Sequence, residues 1–465
     1  MVFTVLAPLI IAILIGVFYR EKKGFWLTLA SITFIANIVH CFYSLLYNSL
    51  PIIYNLGEWG ANLGIVLVFD QVTVTMLLVW NSLFLAILCY CHGESKDNDF
   101  KFYMLIMIML FALSGWAVTN DLYNMFVFIE IVSIISYALV AYTRTRNSLE
   151  ASIKYLFTGS ISSVLILISI LIIHFSTGEL NITLAMAKFS NLPLPTQFIT
   201  WGMLLTGFLS KAGAAPMHYW LPDAHASAKT GVSALLSGIV IKLSLLSLYK
   251  LMASSDLLPG LNQSITTVLI VIGAFSVILG HLVAYRQTNI KRLLAYSSIA
   301  QIGYIIMGLS YSISSKAGAL YHTINHAFLK TALFFSAGLL ARYSNSLEIE
   351  SLRGTGRKNP IASTLFTVAA LGMIGIPPIN GFSSKWAIMK GLLAEQAVLI
   401  SLVIPLGTIL ATLYYVKILL ILFDKKIDLP DIKFSRLKAI AVSLVMFGII
   451  STSIFAPLIL SLFGV

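Results

Sequence analysis

The chain has 465 residues, of which 58% are hydrophobic and only 10% charged, and its formal net charge is +12. Soluble domains average about 45–50% apolar and about 25% charged, so the composition excludes a water-soluble fold and points to an integral membrane protein of many spans. It also excludes a nucleic-acid binder, because the lysines and arginines are spread over short segments between apolar stretches instead of clustering on one water-facing surface.

A helix needs about 20 apolar residues to cross a bilayer. In chain order the predicted spans are 2–19, 25–46, 71–91, 102–119, 122–142, 155–175, 197–215, 230–251, 264–285, 292–310, 317–340, 362–390, 397–423 and 439–463. The first has no basic segment before it and no small-residue cleavage site, so it is expected to be a retained span. Residues 51–70 combine Pro51, Gly57, Gly60 and Glu58 with a β-branched run, which predicts an outer-face loop or hairpin. Cys41, Cys89 and Cys91 lie in or beside apolar stretches, with neither zinc-site spacing nor a disulfide framework. No linker interrupts the helices, so residues 1–465 are expected to form one membrane domain.

The loops give the orientation. With Arg20, Lys22 and Lys23 in the cytoplasm, alternation places twenty-one loop cations on that side, Lys96, Lys425, Lys426 and Lys433 among them. Only Lys188, Lys250, Lys316 and Lys390 fall on the other side. Such a positive-inside bias predicts about fourteen transmembrane helices in a cell (inner) membrane, with both termini on the outer side.

Five lysines remain inside spans, Lys211, Lys242, Lys330, Lys385 and Lys417, and Glu130 is the one acid placed deep. A charge at the bilayer centre costs about 2.5–3.5 kcal/mol, so its default reading is an ion or proton pathway. Lys417 lies near a cytoplasmic end and can snorkel to the interface, a structural role. Lys330 shares a helix face with His326, and either role fits it. Lys211, Lys242 and Lys385 read as functional, Lys242 lying 13 residues into its span and too deep for easy snorkelling. Glu130 lies nine residues past Asp121, a depth of about 13 Å at 1.5 Å per residue. A lone carboxylate there would protonate, whereas one paired with a lysine from another helix stays charged. His322 and His326 are four residues apart and share one face. The pair reads as a proton relay, since imidazole accepts on one nitrogen and releases from the other. Structural hydrogen bonding is the bland alternative. Metal binding is disfavoured, because no glutamate of the HExxH kind lies between them and no third ligand is evident.

Two spans carry breakers, Pro216 in GFLSKAGAAPMHYWLPDAH and Pro377–Pro378 in GIPPINGFSSKWAIMK. Broken helices at membrane depth are tolerated where backbone lines a polar cavity. A similar pentapeptide, Gly207–Lys211 and Gly381–Lys385, occurs in each, five spans apart. An odd offset reverses orientation, which predicts two inverted five-helix repeats, spans 4–8 (102–251) and 9–13 (264–423), with 1–101 and 424–465 as flanking helices.

The runs KAGAAPMHYWLPDAHASAKTGVSALLSGIVIK, TNDLYNMFVFIEIVSIISYALVAY, YHTINHAFLKTALFFSAG and GIPPINGFSSKW resemble the proton-antiporter-type membrane subunits. These include the pumping subunits of complex I, of Mrp-type cation/proton antiporters and of energy-converting hydrogenases. The resemblance covers the chain from about residue 60 onward, and WLPDAH is specific to the superfamily more than to a branch. It implies that Glu130 pairs with Lys211 on the broken seventh helix and that Lys242 connects the half-channels. It implies further that His322 and His326 form the relay and that Lys385 passes the proton to the exit side. It implies other membrane subunits of a multisubunit complex as partners, with protons and a monovalent cation as cargo.

One complex I subunit type has glutamate where this chain has Lys385, and another generally lacks the histidine pair. FVFIEIVSIISYALVAY and SLRGTGRKNP look most similar to the D-type subunits of Mrp antiporters, so Na+/H+ antiport is the first expectation. A proton-pumping arm of an NADH–quinone oxidoreductase or hydrogenase is the alternative, and a non-pumping scaffold the second. The sequence has no dinucleotide fingerprint, haem attachment motif or iron–sulfur cysteine set. No cofactor or metal is therefore expected in this chain, and redox drive would come from partners. A scaffold is disfavoured on the expectation that each buried lysine would then need its own acid.

Overall fold

The computed structural model describes residues 2–18, 23–92, 100–255, 259–310, 312–424 and 435–464. Of the cations assigned to the cytoplasmic side, Arg20, Lys22, Lys96, Lys425, Lys426 and Lys433 lie outside the described residues.

The first half runs α1 (Val2–Val17), α2 (Lys23–Tyr47), β1 (Ile52–Asn55), β2 (Val66–Phe69), α3 (Gln71–Cys91), α4 (Phe100–Val118), α5 (Leu122–Val140), α6 (Arg146–Thr177), α7 (Ile182–Phe189) and α8 (Leu194–Ala212). After the Pro216 break come α9 (Trp220–Ser227), α10 (Thr230–Leu235) and α11 (Ile241–Ala253). Then follow α12 (Pro259–Tyr285), α13 (Ile290–Leu309), α14 (Ile313–Ser344), the short α15 (Thr355–Lys358), α16 (Pro360–Ile374) and α17 (Asn380–Ala394). The chain closes with α18 (Val398–Ser401), α19 (Val403–Leu422), α20 (Arg436–Ile454) and α21 (Ala456–Leu462).

This is an all-α polytopic membrane protein. Among the described residues, eleven helices are long and apolar enough to cross a bilayer. The other expected spans are α1, α8 and the 362–390 stretch, which divides into α16 and α17 around Pro377 and Pro378. Residues 51–70 form the hairpin that their composition suggests, with Ile52 paired to Phe69 and Asn55 to Val66.

The chain forms two compact units, one of Met1–Leu139, Ser152–Ala212 and Leu243–Ile265, the other of Val140–Ala151, Gly213–Lys242 and Thr266–Val465. In the first, α4 packs on α1 and α3, and α2 lies along α3. Asp70 starts α3 by accepting the Thr73 amide at 2.7 Å, and Asp121 likewise accepts the Asn124 amide at 2.6 Å at the start of α5. Burial nevertheless pushes the Asp121 carboxyl above its ordinary range.

In the second unit α14 is the central helix, packed against α10, α13, α16, α17 and α20. Its histidines and Lys330 are therefore buried on every side. Asn359 caps α16 by accepting the Ala362 amide at 3.0 Å, with Pro360 in the first turn. Gly375 ends α16 at a φ of 94°, a left-handed conformation that glycine adopts without steric cost. Gly381 then lets α17 cross α16 so closely that a Cβ there would lie 1.8 Å from the Gly372 carbonyl oxygen.

Candidate functional site

Each unit holds buried ionisable groups. In the first, Lys211 near the end of α8 donates to Glu130 Oε1 on α5 at 3.1 Å and to Ser133 Oγ, one turn along α5, at 2.9 Å. Ser163 on α6 donates to the same carboxylate oxygen. Ser162 donates to Ser210 Oγ at 2.9 Å, joining α6 to the residue before the lysine. Gly207 permits this approach, because a Cβ there would lie 2.7 Å from Ile166 Cγ1 and 2.9 Å from the Ser162 carbonyl. The pair is asymmetric: the Lys211 side chain is 7% exposed and that of Glu130 29%. The glutamate thus reaches the flank of the unit while the lysine is enclosed.

The second unit gathers Lys242, His322, His326, Lys330 and Lys385. Between α10 and α11 the helix widens into a π-helical turn, Leu236–Val240, which disturbs the regular carbonyl ladder. The Lys242 ammonium donates to the carbonyls of Ser237 at 2.5 Å and Gly238 at 2.7 Å. Gly238 lets α14 come close, since a Cβ there would lie 2.7 Å from Thr331 Oγ1. Lys330 donates to the Leu294 carbonyl of α13 at 2.8 Å. Lys385 reaches the last carbonyls of α16, Met373 at 2.7 Å and Ile374 at 3.1 Å, where the helix dipole favours a cation. The Tyr304 ring lies 4.8 Å from its ammonium.

The histidines lie among these lysines. The His322 and His326 rings stack with centroids 6.3 Å apart. His322 Nε2 donates to Gln301 Oε1 at 3.0 Å, which leaves Nδ1 to accept from Ser384 Oγ at 2.8 Å. His326 has Lys242 and Lys330 as charged neighbours, and among the described residues neither of its ring nitrogens has a hydrogen-bond partner. The same holds for His225 on α9, stacked on Phe334 with centroids 5.3 Å apart and within the fields of Lys330, Lys291 and Lys242.

Two corrections to the sequence reading follow. His225 belongs to the cluster although nothing local in the sequence singles it out; it lies on the short helix α9 within the WLPDAH run. The lysines also do not need one acid each: Lys242, Lys330 and Lys385 are partnered by backbone carbonyls. Lys417, read as structural, is exposed on α19.

A family model described as "NADH:quinone oxidoreductase/Mrp antiporter, TM" matches residues 119–411, well over half of the chain. The chain belongs to this family. Among its relatives in the NADH:quinone oxidoreductase/Mrp antiporter family, the N-type subunit of the NADH-quinone oxidoreductase of Desulforudis audaxviator is 30% identical over 82% of this chain and 77% of that one. The D-type subunit of the Na(+)/H(+) antiporter of Bacillus subtilis is also 30% identical, over 77% of this chain and 73% of the relative. Among solved structures, a chain of the membrane-bound sulfane sulfur reductase, an archaeal respiratory membrane complex, superposes with a TM-score of 0.92 at 26% identity, covering 99% of this chain and 96% of that one.

Proposed function

We propose that this chain is a proton-translocating membrane subunit of a multisubunit complex, the counterpart of the D-type component in a monovalent cation (Na+)/H+ antiporter of the Mrp type. The supporting observation is the gathering of buried lysines and histidines in the second unit, Lys242, Lys330 and Lys385 around His225, His322 and His326. Cations buried together at membrane depth are costly and mark ion or proton pathways. Imidazoles among them can take a proton on one nitrogen and release one from the other. Glu130 and Lys211 act as the first station: while the pair is closed the lysine keeps its proton, and when it separates an unpaired buried ammonium is relieved by releasing one. Lys242, Lys330, His326 and His322 carry the proton onward, and Lys385 is the last station. Lys211 and Lys385 hold equivalent places in repeats 102–251 and 264–423, each beside a helix break. The membrane is the cell (inner) membrane, with both termini outside, on the strength of the loop cations.

A second reading is a redox-driven pump, favoured by the likeness to the N-type oxidoreductase relative and to the sulfane sulfur reductase chain. The partners decide between them. Purification from native membranes in mild detergent is expected to bring small hydrophobic subunits without iron–sulfur or flavin proteins; redox proteins would establish the second reading. For translocation itself the test is Lys211→Ala in the assembled complex, which is expected to stop coupled proton movement. Full transport by that variant would refute the pathway under either reading.

A further inference from the structure

A buried titratable group outside this file of residues sits on α12. His281 is fully enclosed, with Nδ1 3.0 Å from the Tyr414 hydroxyl of α19 and Nε2 3.2 Å from the Tyr304 hydroxyl of α13. Tyr304 is the same residue whose ring lies against the Lys385 ammonium. Beyond Tyr414, the Tyr415 ring is 4.6 Å away and its hydroxyl is 2.8 Å from Ser297 Oγ. The Tyr304 hydroxyl fits only because residue 407 is glycine: a Cβ there would lie 2.0 Å from it.

A neutral imidazole between two phenols donates at one nitrogen and accepts at the other. Adding a proton turns both nitrogens into donors, and both phenol oxygens can accept, so the charge changes while the heavy atoms stay in place. The charged groups acting on His281 are Lys385 from α17 and Lys330 from α14. The other titratable groups around it are Tyr304 of α13 and Tyr414 and Tyr415 of α19, with His322 of α14 edge-on to Tyr304 at 6.0 Å.

We propose that His281 is a charge-coupled partner of Lys385, with Tyr304 between them: its ring faces the Lys385 ammonium and its hydroxyl bonds the imidazole. The ammonium itself is held by the Met373 and Ile374 carbonyls, so the two groups act on each other through the field and not by a direct proton hop. A proton held at His281 repels one arriving at Lys385 until the imidazole discharges, so the last station handles one proton at a time.

The inference rests on the proposed translocation, and its test keeps the two apart. In inside-out membrane vesicles containing the complete complex, Na+-driven proton movement is followed across the neutral pH range and normalised to assembled complex. His281→Gln keeps one donor and one acceptor but cannot hold a proton. Tyr304→Phe keeps the ring beneath Lys385 but loses the hydroxyl. Both are expected to slow transport on the order of tenfold and to lose the same ionisation step from the pH–rate profile, with the double variant no slower than either single one. A wild-type rate and profile in His281→Gln, or a slower rate with an unchanged profile, overturns the proposal. If His281→Gln does not assemble, Gly407→Ala, which displaces the Tyr304 hydroxyl without touching the imidazole, carries the test with the same two outcomes. Lys211→Ala runs beside them. A dead Lys211→Ala with a normal His281→Gln defeats this inference alone, whereas full transport in Lys211→Ala defeats the translocation reading.

Discussion

Replacing Glu130 with Gln removes one charge while keeping the shape of the proposed first station. The amide oxygen can still accept from Lys211 and Ser163, so packing changes little. At the observed 3.1 Å and an effective dielectric near 20, the ion pair is worth about 5 kcal/mol. The glutamate side chain is 29% exposed, which trims the figure, and about 3 kcal/mol remains, the lower end for breaking a buried pair. At about 1.4 kcal/mol per factor of ten, transport should fall roughly a hundredfold. The assay is dye-reported proton movement in inside-out vesicles, normalised to assembled complex. If the two residues act as one switch, Glu130→Gln/Lys211→Met should be no slower than Lys211→Met alone. A Glu130→Gln complex that assembles and transports at the wild-type rate would refute the reasoning, as would losses that simply multiply in the double variant.

Two further outcomes concern the scaffold. In Gly381→Ala the new methyl group would lie 1.8 Å from the Gly372 carbonyl oxygen; because backbone cannot yield as a side chain can, the cost should exceed about 3 kcal/mol. Little assembled complex should be recovered, as measured by native gel of solubilised membranes, and normal recovery would show that α16 and α17 can separate. Asp121→Asn addresses pH. The folded-state pKa of Asp121 lies above its ordinary value, so its contribution to stability is present below the unfolded pKa and lost as pH rises through the folded one. Asn can still cap α5, so thermal unfolding of the variant should gain on the wild type as pH rises from acidic to neutral. A gain that is the same at every pH would place the effect elsewhere.

Much of this site could be read from the sequence because charge is so expensive in lipid. Glu130, Lys211, Lys242 and Lys385 stand out against apolar neighbours, and Pro216 and Pro377–Pro378 mark the breaks beside two of them. The hairpin after Leu50 was legible from its turn residues. Other parts left no local signal. The π-helical turn beside Lys242 arises within LSGIV, an ordinary run of span residues, and only the packing of Gly238 against Thr331 gives it a setting. His281 is a lone histidine between Gly280 and Leu282; its setting comes from phenols of α13 and α19, far away in sequence. The acid count misled because carbonyls, which every residue carries, do the work assigned to carboxylates.

That choice of partner bears on inheritance. No single side-chain replacement can delete the carbonyl oxygens that hold Lys242, Lys330 and Lys385; only a change in the path of the backbone can. These three contacts therefore survive substitutions that leave the backbone path intact, and the positions that cannot drift are the glycines that set that path, Gly238, Gly375 and Gly381. Lys211 is different. Its partners Glu130 and Ser133 are side chains, so a single codon can unmake the contact, and this station is where mutational fragility concentrates.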